Sequence, residues 1–214
     1  MIPTLHSLDL DAVAKQLSAT DGRLGRLIRR VGPFRPDWRT NLSPYEGLFR
    51  SIVFQQLSGK AASTILKRVL ALFGDGAIPP PEQLLALPEE RLRAAGLSRN
   101  KAAAIRDLAR RRLEGTVPDR ATARQTPDEE LIERLIAVRG VGRWTAEMLL
   151  MFGLGRTDVL PVGDLGIRKG FQLTYEMKRL PAAVTITRQG RLWAPYRTVA
   201  SWYLWRAIDV PPGG

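Results

Sequence analysis

The stretch from Leu135 to Phe171 reads LIAVRGVGRWTAEMLLMFGLGRTDVLPVGDLGIRKGF, and it decides the fold expected for this chain. Two glycines, Gly140 and Gly142, bracket a valine between two segments whose apolar residues have helical spacing. Glycine permits positive φ angles and close approach of another backbone. The pattern predicts a tight turn between two short helices. Downstream of the second helix, a single acidic residue, Asp164, lies among apolar neighbours.

Helical spacing of apolar residues continues through the rest of the chain, interrupted by segments rich in glycine and proline. Residues 43–46, SPYE, carry three helix-start signals, namely an N-cap serine, a first-turn proline and a capping-box glutamate. The sequence therefore predicts an all-α protein of about eight to ten short helices. Ala183–Arg188 is a weak candidate for a strand.

The composition restricts the chemistry that this chain can carry out. Its 214 residues include no cysteine and one histidine, His6. These counts exclude disulfides, thiolate zinc sites, a cysteine nucleophile, an iron–sulfur cluster and a Ser–His or His-rich metal site. Catalysis is left to carboxylates, lysine, tyrosine or backbone groups. No apolar run is long enough for a bilayer and no signal peptide is present, so a cytoplasmic protein without a membrane partner is expected.

The net charge of +12 favours a polyanionic partner, because each phosphate contact releases counterions. Arginine far outnumbers lysine, however, and a GC-rich genome produces that bias through codon usage alone. Charge by itself therefore does not decide between nucleic acid and a merely basic surface. Since no heptad pattern or spare apolar stripe is present, a monomer is expected.

The glycine turn suits two kinds of ligand. The free N–H groups of the helix that follows it suit a phosphate oxygen, and Arg143 adds positive charge there. The carbonyls that face inward can instead hold Na⁺ or K⁺, which would strengthen the grip on phosphate; they belong to Ile136, Val138 and Val141. The pattern resembles the helix-hairpin-helix, an anchor for the DNA backbone. The DNA-binding candidates within it are Gly140, Val141, Gly142, Arg143 and Thr145.

Asp164 lies between Gly163 and Gly166, so it is expected to cap a helix and to be partly buried. Together with the upstream hairpin, it resembles the hairpin-plus-aspartate element of the helix-hairpin-helix DNA glycosylase superfamily, whose aspartate is catalytic. The resemblance extends to Phe49–Val69, to Gly96–Ala109 and to the segment LWAPYRTVASWYLW. It covers most of the chain and assigns the catalytic role to Asp164.

The resemblance implies a two-lobed helical fold with the active-site cleft between the lobes. We expect a single unit over residues 1–214, with one lobe at about 44–156 that contains the hairpin at 135–146. The second lobe would comprise residues 1–43 and 157–214. The 3-methyladenine DNA glycosylase II branch is the best match, without the extra N-terminal domain of its larger bacterial members. Its substrate would be double-stranded DNA with alkylated bases, in a protein associated with the nucleoid.

Position 144 decides the expected mechanism. Superfamily members with lyase activity place a lysine there, which forms a Schiff base with the sugar. This chain has Trp144, which implies a monofunctional glycosylase that needs no cofactor and only hydrolyses the N-glycosidic bond. By the same resemblance, Trp144 and Trp193 are candidate walls of the base pocket, and Met148, one helical turn beyond Trp144, is the candidate that completes it. Core packing is the alternative role for Trp144. Trp202 and Trp205 have helical spacing that predicts a core position.

The segment GLSRNK corresponds to the loop that fills the gap left by a flipped base. Arg99 is the candidate wedge residue and Leu97 is the alternative. Ser98 and Lys101 are candidate phosphate contacts, although a solvated loop explains them equally well. Gln55 and Gln56 either contact the opposite strand or hydrogen-bond to loop backbone, and the second role is favoured.

Two other functions are compatible with the sequence. A glycosylase for a mismatched or oxidised base is disfavoured, because such enzymes carry a cysteine cluster or the lysine that Trp144 replaces. A non-catalytic helix-hairpin-helix module that only binds DNA is disfavoured because such an anchor requires neither Asp164 nor the aromatic C-terminal segment.

Overall fold

The computed structural model describes residues 2–36, 38, 42–74 and 76–210. These residues form thirteen α-helices and no β-strand, which confirms the all-α prediction. None of the described helices is both long enough and apolar enough to cross a membrane. The helices are α1 Leu10–Thr20, α2 Gly22–Val31, α3 Pro44–Phe54, α4 Gly59–Ala71, α5 Pro81–Ala86, α6 Glu89–Ala94, α7 Arg99–Leu113, α8 Arg120–Gln125, α9 Asp128–Ile136, α10 Arg143–Met148, α11 Leu165–Thr174, α12 Ala183–Gly190 and α13 Arg197–Arg206.

The chain divides into two compact units, one formed by Asn41–Leu149 and the other by Ile2–Thr40 with Leu150–Gly214. Residues 150–156 belong to the second unit, whereas the sequence predicts them in the lobe at about 44–156. Backbone contacts account for the difference. The Leu5 N–H donates to the Gly155 carbonyl at 2.8 Å, and Thr4 forms an antiparallel bridge with Arg156.

The first unit is built around α3, which begins at a complete capping box. The Ser43 hydroxyl accepts from the Glu46 N–H, and the Glu46 carboxylate accepts from the Ser43 N–H at 2.9 Å. This satisfies backbone donors that a helix start otherwise leaves unpaired. The apolar face of α3 packs against α4 and α7, and it buries Leu48, Phe49, Ile52 and Val53.

The second unit has a core in which α11 and α13 pack closely. A Cβ added at Gly170 of α11 would lie 1.8 Å from the Leu204 carbonyl oxygen of α13, so only glycine allows this approach. The weak strand prediction for Ala183–Arg188 is wrong, because these residues lie in α12. Their β-branched side chains are compatible with a helix whose buried face carries Ile186 and Gly190, four positions apart. Packing thus outweighs strand propensity here.

Candidate functional site

Asp164 caps α11, as the sequence predicts, and its side chain is half-buried. Its Oδ1 accepts two hydrogen bonds, one from the Ile167 backbone N–H at 2.8 Å and one from the Trp205 indole Nε1–H at 2.9 Å. The first bond places the carboxylate at the N-terminus of α11. The two donors together fix the orientation of the carboxyl group.

Gly166 makes room for the contact between Trp205 and Asp164. A Cβ at this position would lie 2.8 Å from Trp205 Cδ1 and 2.9 Å from Asp164 Oδ1. Both distances are shorter than real Cβ contacts, so any larger residue would push the indole or the carboxylate aside. Gly166, the second residue of α11, is therefore required by the geometry of this contact.

The loop that leads to Asp164 is fastened to the start of α13. The Asp158 carboxylate accepts two hydrogen bonds from the Arg197 guanidinium, at 2.7 and 2.8 Å. The Thr198 hydroxyl accepts from the Val159 N–H at 3.0 Å, and the Ser201 hydroxyl donates to the Val159 carbonyl at 3.3 Å. One helix therefore holds the loop with its first turn and the carboxylate with its last.

Three half-buried aromatic rings lie in series, and the last of them, Trp205, contacts the carboxylate. The ring centroids of Trp38 and Phe152 are 4.7 Å apart, and those of Phe152 and Trp205 are 5.8 Å apart. We name Trp38, Phe152 and Trp205 the aromatic row. Trp202 lies in the core of the second unit and Trp205 packs against that core, as predicted, but the Trp205 indole also reaches Asp164. Trp38 is not among the residues that the sequence patterns single out. The only signal in the sequence was the presence of a tryptophan in a segment rich in proline, residues 33–38.

Trp193 does not have the exposure that a base-stacking wall requires. Its side chain is fully buried in the core of the second unit, and its Nε1–H donates to Asp21 Oδ2 at 2.9 Å. The same oxygen accepts from Gln189 at 2.8 Å and from the Tyr175 hydroxyl. Because Trp193 has no free ring face, its assignment to the base pocket is corrected to a core role.

Asp21 is the buried carboxylate at the centre of that core network. Burial alone would raise its pKa, but hydrogen bonds from Tyr175, Trp193, Gln189 and the Leu24 N–H hold the pKa below its usual value. Burial and the adjacent Asp21 charge raise the pKa of the Tyr175 hydroxyl, which keeps it a donor. The network joins α2, α11 and α12 and has a structural role.

The hairpin in the first unit has the backbone expected of an anchor. Gly140 has a φ of +76°, and the Val141 N–H donates to the Val138 carbonyl at 3.1 Å. Gly142 is the N-cap of α10 and supplies no capping side chain, while its carbonyl accepts from the Ala146 N–H at 3.1 Å. The first N–H groups of α10 therefore point out of the helix end, where an anion can accept from them.

Two neighbouring helices brace this turn. The Gln55 side-chain amide, just after α3, donates to the Gly140 carbonyl at 3.0 Å. From α7, Asp107 Oδ2 accepts the Arg139 N–H at 2.9 Å, and Asn100 Oδ1 accepts from the Arg139 guanidinium at 3.3 Å. The favoured prediction that Gln55 hydrogen-bonds to loop backbone is confirmed. Gln56 is exposed and has a φ of +55°.

The residues at the start of α7 divide into structural and exposed groups. Lys101 Nζ donates to the carbonyls of Val53 and Gln55 at 2.7 and 2.6 Å, and burial lowers its pKa. Its assignment as a phosphate contact is therefore corrected to a C-terminal cap of α3. Ser98 is the N-cap of α7, and its hydroxyl accepts from the Lys101 N–H.

Of the two wedge candidates, only Arg99 has an accessible side chain. Arg99 is exposed at the first position of α7, whereas Leu97 is 4% exposed and packs in the core of its unit. An apolar side chain that is already buried cannot fill a gap in DNA without leaving a cavity behind. Leu97 is therefore corrected to a core residue, and Arg99 remains a prediction.

The candidates on α10 differ in their accessibility. The Trp144 side chain is 52% exposed, and Met148, one turn later, is half-buried. Thr145 is 7% exposed, so a side-chain contact with DNA is not available and only its backbone N–H remains a candidate. Arg143 is exposed but paired, with Glu129 at 2.6 Å and Glu147 at 3.0 Å.

The carbonyls proposed for a monovalent cation are those of Ile136, Val138 and Val141. A carbonyl oxygen has two lone pairs, so the bond from the Val141 N–H leaves Val138 able to coordinate an ion. Carbonyl oxygens are ligands that a hard cation accepts, and this site stays a prediction. Within the described residues, no group of three or more His, Cys, Asp or Glu side chains is placed to hold a metal.

Comparison with known proteins places the chain among DNA repair proteins. Residues 49–195 match the family described as HhH-GPD superfamily base excision DNA repair protein. DNA-3-methyladenine glycosylase 1 of Schizosaccharomyces pombe is 38% identical over 195 residues, which cover 91% of this chain and 86% of the relative. DNA-3-methyladenine glycosylase 2 of Escherichia coli is 30% identical, over 94% of this chain and 76% of the relative.

Solved structures of 3-methyladenine DNA glycosylases are similar to this chain in both fold and sequence. The S. pombe 3-methyladenine DNA glycosylase in complex with abasic DNA has a TM-score of 0.81 and 36% identity, covering 95% of this chain and 99% of that chain. A DNA-3-methyladenine glycosidase from Bacillus halodurans has a TM-score of 0.84 and 41% identity, covering 91% and 88%. The resemblance inferred from the hairpin and Asp164 is confirmed.

Proposed function

The chain belongs to the HhH-GPD superfamily of base excision DNA repair proteins, and we propose that it is a monofunctional DNA glycosylase that removes alkylated bases from double-stranded DNA. The observation that carries this proposal is the half-buried Asp164 carboxylate. It accepts hydrogen bonds from the N-terminus of α11 and from Trp205, which belongs to the aromatic row. The names of the relatives support a hydrolase of the 3-methyladenine DNA glycosylase type.

Asp164 has the properties that the reaction needs. An N-alkylated purine such as 3-methyladenine or 7-methylguanine carries positive charge, so it leaves readily and needs no strong general acid. The remaining task is to stabilise a sugar that resembles an oxocarbenium ion and to position a water molecule. An ionised carboxylate with one oxygen fixed by two donors can do both without reorganising.

The aromatic row supplies the surface on which a flipped base can stack. A base must leave the helix before its glycosidic bond can be reached. Trp38, Phe152 and Trp205 offer electron-rich faces that attract a cationic base, with a stacking contribution of about 1–3 kcal/mol per base. Trp144 and Met148 remain candidates for the same role, supported by the 52% exposure of the Trp144 side chain.

The hairpin provides the proposed contact with the DNA backbone. The outward N–H groups at the start of α10, together with Gly140, Val141 and Gly142, would bind phosphate without reading sequence. We expect Arg99 to enter the gap left by the flipped base. A monomer that acts on nucleoid DNA, without a required cofactor, is sufficient for this chemistry.

Trp144 stands where lyase members of the superfamily have lysine, which supports the monofunctional assignment. An indole cannot form the Schiff base on which strand cleavage depends. After base release the product would be an intact strand with an abasic site. Borohydride added during the reaction should therefore trap no covalent complex between protein and DNA.

The experiment that tests the proposed function is chromatography of the bases released from methylated duplex DNA. Release of 3-methyladenine or 7-methylguanine is the expected result, with hypoxanthine-containing and 8-oxoguanine-containing duplexes run in parallel to define the range. If the protein binds each duplex and releases no base, the non-catalytic DNA-binding module would replace this proposal. Release of 8-oxoguanine alone would assign a different damaged base.

A further inference from the structure

Arg143, the first residue of α10, holds two carboxylates that differ in their exposure to water. Its Nε donates to Glu147 Oε1 at 3.0 Å, and its Nη2 donates to Glu129 Oε1 at 2.6 Å. The Glu147 side chain is 8% exposed, and the Glu129 side chain is 70% exposed. Arg143 lies next to Gly142, the N-cap that would face the DNA backbone.

Glu147 is the permanent partner of Arg143. It lies one helical turn further along α10, where its buried carboxylate needs a charged donor to offset the loss of hydration. This bond uses Nε and therefore fixes the direction of the guanidinium plane. The remaining N–H groups of Arg143 belong to this same guanidinium, on the first residue of α10.

Glu129 is the exchangeable partner. It belongs to the first turn of α9, and both it and Arg143 are more than half exposed, so water screens their attraction. A phosphate oxygen offers the same geometry to a guanidinium as a carboxylate oxygen does. A DNA phosphate that reaches the hairpin would therefore compete with Glu129 for the same Nη2–H donor.

We propose that Glu129 is an internal competitor of the DNA phosphate at Arg143, and that it lowers the affinity of the hairpin for the DNA backbone. Glu147 is the residue that positions the guanidinium for this exchange. The inference rests on the proposed function, because it takes the hairpin to be the DNA anchor. It adds a residue on α9 that sets how tightly the anchor holds undamaged DNA.

The exchange has a consequence for salt dependence. When phosphate replaces Glu129, the released carboxylate lies near the DNA and takes up a cation from solution. That uptake offsets part of the counterion release that normally accompanies an arginine–phosphate contact. Removing the Glu129 charge should therefore strengthen binding and also steepen its dependence on salt concentration.

The test compares Glu129→Gln with Glu130→Gln in the full-length protein, using an undamaged duplex and fluorescence anisotropy over a series of salt concentrations. Glu130 is the matched control, because it lies on the same helix turn, is 57% exposed and pairs with Arg134 at 3.9 Å instead of with the hairpin. Both substitutions raise the net charge by the same amount. We expect Glu129→Gln to bind about threefold more tightly than Glu130→Gln, within the range of an exposed ion pair.

The same change in an Arg143→Ala background isolates the contact. With the guanidinium absent, Glu129→Gln should bind no more tightly than the Glu130→Gln change in that background. Equal affinities of Glu129→Gln and Glu130→Gln in the wild-type background would overturn the inference, as would a gain that persists without Arg143. Base release from methylated DNA is measured on the same preparations. Tighter binding without base release in any of them would support the exchange at Arg143 while contradicting the proposed glycosylase.

Discussion

The Trp205 indole Nε1–H lies 2.9 Å from Asp164 Oδ1, so the last turn of α13 holds the carboxylate that caps α11. Trp205 also belongs to the aromatic row, through its contact with Phe152. One side chain thus contacts both the proposed catalytic group and the proposed base-stacking surface. The effect of the indole N–H on Asp164 can therefore be separated from the effect of the aromatic ring on base stacking.

Trp205→Phe removes the indole N–H and keeps an aromatic ring. Base release should slow about ten- to a hundredfold, because a hydrogen bond to a charged group contributes roughly 1.5–3 kcal/mol. Affinity for DNA should be unchanged. Trp202→Phe is the matched control on the same helix, since its buried Nε1–H has no hydrogen-bond partner among the described residues. Single-turnover base release from methylated duplex measures the difference, and equal rates for both variants would show that the bond to Asp164 has no catalytic effect.

Gly166→Ala places a methyl group against the contact between Trp205 and Asp164. The added Cβ would lie within 3 Å of both side chains, so we expect base release to fall at least tenfold while the protein stays folded. Gly163→Ala is the control, because no atom lies within 4 Å of a Cβ there. Circular dichroism confirms folding in both cases. A Gly166→Ala variant as active as Gly163→Ala would contradict the need for this contact.

Asp21→Asn should destabilise the second unit by about 2–3 kcal/mol, because every side chain that bonds the carboxylate is a donor and an amide NH₂ cannot accept. The pKa of Asp21 is held below its usual value near 3.8, so its contribution is present above that value and is lost as pH falls through the folded pKa. Urea unfolding at pH 7 and at lower pH measures both effects. Asp9→Asn, an exposed N-cap, should change stability little.

Lys101→Met distinguishes the structural role of Lys101 from a phosphate contact. Loss of the bonds to the Val53 and Gln55 carbonyls should lower the free energy of unfolding by about 1–2 kcal/mol. The slope of log Kd against log salt concentration should stay that of the wild type. Lys67→Met, at an exposed position of α4, is the control for the loss of one charge. If this slope falls by about one in Lys101→Met and not in Lys67→Met, Lys101 contacts a DNA phosphate after all.

The features predictable from sequence were those set by local chemistry. The Gly140–Gly142 turn follows from the conformational freedom of glycine, and the helix cap at Asp164 follows from a short polar side chain before an apolar helix. The capping box at Ser43 has the same local origin. Each depends on residues within about one helical turn.

The features missed from sequence depend on contacts between distant segments. Helical spacing predicts a core position for Trp205, and the resemblance predicts a pocket position for Trp193. Only packing decides that Trp205 reaches Asp164 while Trp193 bonds Asp21. Lys101 has a basic side chain in the segment GLSRNK, which suggests a phosphate contact, but its partners lie at the end of α3. Trp38 gains its role only because the chain brings it against Phe152.

The measurement that tests the central claim most directly is base release by Asp164→Asn from a duplex that carries one N-methylated purine. Asparagine also caps helices and its carbonyl can accept both bonds now made by Oδ1, so the variant should fold and bind DNA normally. We expect it to release base at least about a hundredfold more slowly than the wild type, because the negative charge is gone. Release at the wild-type rate would contradict the assignment of Asp164 as the catalytic carboxylate.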